Sequence, residues 1–177
     1  MSAVDQFARN AVLDARRGAS AEDRAALDGL FRTRVAPIDA SHVARLKALL
    51  EGRGWFRLSE VGDPAASAAF LIVQHSGDLP LMERVLRDME ALPREEVDGQ
   101  DYALLYDRTA LMQGRPQRYG TQGSTCTADG RFAVPADLES PAGVDSRRAA
   151  VGLMPIAQYL AGMDRMYGRC EGPRLAQ

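Results

Sequence analysis

Lysine is nearly missing from this chain: of its 22 basic residues, 21 are Arg and one is Lys47. The 24 acids are scattered among them and leave a net charge of −2, so no basic field of the kind that gathers nucleic acid is present. Histidine is equally scarce. His42 and His75 are too few for a His-rich zinc cage, neither H-x-x-x-H nor C-x-x-C spacing occurs, and no metal or other cofactor is expected. Glycine-rich nucleotide loops, a G-x-S-x-G nucleophile elbow and RNA-binding aromatic signatures are also lacking. No segment approaches the roughly 20 apolar residues of a membrane span, and residues 1–9 lack the basic start and apolar stretch of an export signal. A cytoplasmic protein with neither membrane nor nucleic-acid partners is therefore expected. Cys126 and Cys170 lie far apart in sequence and outside any C-x-x-C pair, so both read as reduced, dispensable thiols.

What is present suits one globular domain. A chain of 177 residues, 46% of them apolar, buries roughly 70% of its unfolded surface and can hold a core without staples. No repeat or low-complexity linker divides it, so residues 1–177 read as a single domain, with N-terminal helices to residue 41, a core over 42–167 and a frayed tail from 168. The pattern is mainly α, a helical bundle with one short β-hairpin. Val4, Phe7, Ala8, Ala11 and Ala15 recur at helical spacing before Gly18. Ser20 opens a second helix that Pro37 should end, and Asp39 or Ser41 can cap a third. Asp63-Pro64 starts a helix whose Phe70, Leu71, Ile72 and Val73 are apolar on every side, which makes it central. Asp78 starts a half-exposed helix, and residues 100–113 form another, largely buried one. Residues 114–134 turn rich in Gly, Thr, Gln and Ser, and Asp129-Gly130 predicts the hairpin. Asp145 should cap a short helix, and Pro155 should begin the last.

Polar residues set into these apolar helices are the candidates for chemistry. His75 ends the most apolar helix and can serve as an acid or base near neutral pH, or simply cap its helix. Asp107 and Arg108 lie in a helix apolar around most of its circumference, where an unpaired charge costs several kcal/mol. They project about 100° apart, so each must meet a group from elsewhere in the fold. Gln117, Tyr119 and Thr121 would share one face of an extended segment, with Arg118, Gly120 and Gln122 on the other. Such a segment could read a polar ligand or bond its own backbone. Arg147 and Arg148, in the first turns of a helix, could hold an anion or one of these acids.

The order Gly54-Trp55, Gln74-His75, Asp107-Arg108, Gln117-x-Tyr119-Gly120-Thr121-Gln122 and Arg147-Arg148-x-x-x-Gly152-Leu153 resembles a family of bacterial proteins carrying a domain of unknown function. The resemblance implies no activity, substrate or cofactor, but it does imply that these polar residues belong together. One reading is a small enzyme or enzyme-like pocket acting on a polar or anionic small molecule or peptide group. In it His75, Asp107 and Arg108 are catalytic, and Gln117, Tyr119, Gln122, Arg147 and Arg148 bind the ligand. The other is a non-catalytic ligand-binding or interaction module in which the same network is structural. Convergence of these residues on one polar site is expected in either case.

Overall fold

The computed structural model describes residue 15 and residues 19–122 and 125–170; the expected helix over residues 4–15 falls almost wholly outside them. Helix α1 (Ala21–Leu30) starts where the sequence places it, with Ser20 accepting from the Asp23 N–H at 3.1 Å. Pro37 does not end it. The chain passes through one π-helical turn, Phe31–Val35, and continues as α2 (Ala36–Leu49), with Pro37 in its first turn and neither Asp39 nor Ser41 capping it. The wide turn bonds Ala36 N–H back to the Phe31 carbonyl and carries the helix past a residue that has no N–H of its own.

A four-residue turn, α3 (Leu58–Val61), leads to α4 (Asp63–His75), which Gly62 precedes at φ 76° and which Asp63 and Pro64 begin. Asp78 caps α5 (Leu79–Glu90) as expected, accepting from the Leu81 N–H, and Asp98 caps α6 (Gly99–Met112). Helices α2, α4, α5 and α6 enclose the main core around Leu46, Leu50, Trp55, Phe70, Val73 and Met82. Phe70 and Val73 are buried, but Leu71 and Ile72 are only half-buried. Ile72 lines an apolar groove between α2 and α4.

The C-terminal third is built from loops and two helices, α7 (Val144–Ala150) and α8 (Ile156–Tyr167), around Leu138, Val144, Ile156 and Leu160. Asp145 does not cap α7; its carboxylate accepts from the Ile156 N–H at 2.8 Å and so ties α7 to the start of α8. The expected hairpin is not formed. Among the described residues there is no strand, only isolated bridges pairing Gln117 with Leu138 and Cys126 with Phe132. A tight turn does close at residues 127–130, where Gly130 N–H donates to the Thr127 carbonyl. Thr127 N–H donates across to the Arg131 carbonyl and Ala133 N–H to the Thr125 carbonyl, but the pairing goes no further, and the Phe132 N–H, which points outward from this pair, donates to Asp164 on α8 at 2.9 Å.

The thiols are not free as expected: Cys126 and Cys170 are joined in a disulfide, both buried. The Cys170 N–H donates to the Gly130 carbonyl, so Cys170 lies against the 127–130 turn and its sulfur reaches that of Cys126. The expected tail is thus anchored as far as Cys170, and residues 171–177 lie outside the description.

Candidate functional site

Asp107 projects from the middle of α6 and is fully buried. Its Oδ1 accepts from the N–H groups of Arg118 (2.7 Å) and Tyr119 (3.0 Å). Its Oδ2 accepts from the N–H and hydroxyl of Thr121, at 2.8 and 3.0 Å. Successive amides that converge on an anion form a concave nest; here the anion is the protein's own side chain. The loop 117–122 is therefore not extended, although Gln117, Tyr119 and Thr121 are buried and Arg118 is exposed as alternation would have them. Gly120 makes the turn at φ 66°, and a Cβ there would lie 2.8 Å from Ile156 Cδ1.

The loop's carbonyls are held from the opposite side by cations. Arg147 Nε donates to the Arg118 carbonyl at 2.7 Å, and Arg148 Nη1 to that of Tyr119 at 2.7 Å. The Tyr159 hydroxyl donates to the Thr121 carbonyl at 3.0 Å. Arg148 is 0% exposed. Its guanidinium also donates to the Met154 carbonyl and stacks over the Tyr159 ring at 5.0 Å, while burial lowers its pKa. Gln117 closes the loop upon itself, its Oε1 accepting from the Gln122 N–H and its Nε2 donating to the Gln122 carbonyl and Asp137. Gln122 Nε2 reaches the Leu104 carbonyl on α6. An acid thus holds the loop's N–H groups and two arginines hold its C=O groups, and each charge meets the end of the peptide dipole that suits it.

Of the residues singled out in the sequence, Asp107, Gln117, Tyr119, Gln122, Arg147 and Arg148 come together here. His75 and Arg108 do not join them. Both are half-buried, His75 in the last turn of α4 and Arg108 on α6, and among the described residues neither bonds to Asp107 or to the loop 117–122. Asp107 therefore orients backbone amides rather than an imidazole or a guanidinium. Among the described residues no group of three or more His, Cys, Asp or Glu side chains could hold a metal ion.

On the outer side of the loop lies a cleft of about 320 Å³ that the sequence did not reveal. Its polar lining is Glu90, Arg94, Tyr102, Arg118 and Tyr119. Met89, Leu92, Val97 and Val151 supply its apolar walls. Gly99, also in the lining, abuts the turn after α7 so closely that a Cβ would sit 2.7 Å from the Val151 carbonyl oxygen. Tyr102, Tyr106 and Tyr119 pack edge to face or tilted, with centroids 5.8–6.4 Å apart. The Tyr102 hydroxyl donates to Glu90 at 2.8 Å, and Arg118 lies over the Tyr106 ring. Arg94 carries no sequence signal that marks it; its place on a 3-10 turn, Arg94–Glu96, brings it to the cleft.

Fold and site together define a mainly helical protein whose polar centre is a loop bound by its own carboxylate. Residues 1–170 match a family of unknown function, DUF6624, and the chain belongs to that family. No curated protein and no solved structure matches it.

Proposed function

We propose that the protein is a non-catalytic ligand-binding module, in which the Asp107 network is structural and the cleft beside it receives a small molecule. One observation carries this reading: Asp107 is fully buried and both its oxygens are engaged by loop donors, so neither is available to a substrate or to a catalytic histidine. Arg147, and Nε and Nη1 of Arg148, are bonded to backbone carbonyls. An acid/base pocket built on His75, Asp107 and Arg108 draws no support from these contacts. The clamped loop instead presents Arg118 and Tyr119 to the cleft from a backbone fixed on both sides, the pre-organisation that a binding site requires. The disulfide favours an oxidising compartment over the cytoplasm.

The test is Asp107→Asn. An amide in place of the carboxylate turns an NH2 group toward N–H donors, so the folded state should lose about 2–5 kcal/mol in chemical denaturation. The amides of Arg118, Tyr119 and Thr121 should exchange with solvent much faster. A variant as stable as the wild type, with unchanged exchange at these amides, would remove the structural role and return Asp107 to the candidates for chemistry.

A further inference from the structure

The cleft carries more information than its volume. Tyr119 lines the cleft, and its hydroxyl makes no hydrogen bond to any described residue and is not sealed from solvent. Burial pushes its phenol up, opposed by the nearby charges of Arg118 and Arg94. Arg94 and Arg118 line the same cleft, and among the described residues neither has a carboxylate within ion-pair distance. Two guanidiniums against the one carboxylate of Glu90 leave the lining one positive charge in excess. The Glu90 carboxylate accepts from Tyr102, which keeps that tyrosine from competing for the same ligand oxygen. The remaining walls are aliphatic side chains and tyrosine rings.

Resting on the binding-module reading, we infer that the cleft takes a small monocarboxylate with an aromatic or branched aliphatic body. Arg94 and Arg118 neutralise its carboxylate, the Tyr119 hydroxyl donates to one of its oxygens, and Met89, Leu92, Val97 and Val151 enclose its body. A carboxylate's single charge matches the excess of one, whereas a phosphate monoester brings nearly two. The backbone at Arg118 and Tyr119 needs little ordering on binding, because its N–H and C=O groups are already held by Asp107, Arg147 and Arg148.

Four probes that share a benzene ring separate the charge classes: benzoate, phenyl phosphate, benzylamine and benzyl alcohol. Titrated calorimetrically into the full chain, benzoate should bind saturably. Its affinity should fall at least fivefold in Arg118→Gln and in Tyr119→Phe, a variant that keeps the ring packing and loses only the hydroxyl. Both variants should melt within a few degrees of the wild type, so lost binding is not lost folding. Benzylamine should show no saturable binding, and phenyl phosphate should bind no tighter than benzoate. Benzyl alcohol binding as tightly as benzoate would keep a binding cleft and overturn the charge assignment. Tighter binding of phenyl phosphate or benzylamine would overturn the ligand class. Failure of all four to bind would overturn it too, while Asp107→Asn independently decides whether the loop network is structural.

Discussion

Two acids on α6 show how position decides what a carboxylate does. Asp107 meets four donors from one loop, whereas Asp101 has a single long contact, 3.4 Å from the Ser67 hydroxyl, and stands near Asp98. Burial, with the Asp98 charge adding to it, pushes Asp101 up to about 7. Unfolded, an aspartate ionises near about 3.9. The folded state therefore holds this proton more tightly, and the group's contribution to stability is complete below about pH 4 and lost as pH rises through 7. Melting curves should show the wild type losing ground to Asp101→Asn between pH 4 and pH 8; parallel profiles would contradict the assignment. In sequence, the need of Asp107 for partners was legible from its apolar helix. The partners were not, because they are main-chain N–H groups that every residue except proline carries.

At the scale of elements, local signals placed most helices and misjudged three features. Caps at Ser20 and Asp78 act within three residues of themselves, so they are readable wherever they occur. Pro37 fails as a stop because a π turn precedes it, a conformation that no residue type at positions 31–35 announces. The Phe70–Val73 run reads as uniformly central, but α4 has one face on the core and another on an open groove. Val73→Ala should therefore cost about 2 kcal/mol in urea denaturation, and Ile72→Ala less than Val73→Ala despite the larger side chain removed. The reverse order would mean that the groove is closed in solution. The hairpin stops short for a related reason: its turn is local and formed and two bonds cross it, but beyond them its flanks meet distant segments, as where the outward Phe132 N–H meets Asp164, 32 residues on.

For the whole molecule, the Cys126–Cys170 bridge closes a loop over a sequence separation of 44 and fastens the segment after α8 to the loop before residue 127. Chain-entropy arguments put the stabilisation from a loop of that size at about 4 kcal/mol. Denaturation with and without reductant should differ by a comparable amount, and alkylation of the native protein should label neither cysteine; two labelled thiols at full stability would show that the bridge is not part of the fold. Among the described residues no helix is long and apolar enough to cross a membrane, in line with the lack of apolar runs. The sequence by itself determined the mainly helical class and most helix starts, since spacing, caps and prolines act within a turn or two along the chain. It also singled out Asp107, Gln117, Tyr119, Gln122, Arg147 and Arg148 as residues that needed company. Only the tertiary structure decided that the company is one loop, that among the described residues His75 and Arg108 make no bond to it, that the cysteines meet, and that Arg94 and Tyr119 share a cleft. Each of these depends on which distant segments the core brings together, and local spacing carries no record of that choice.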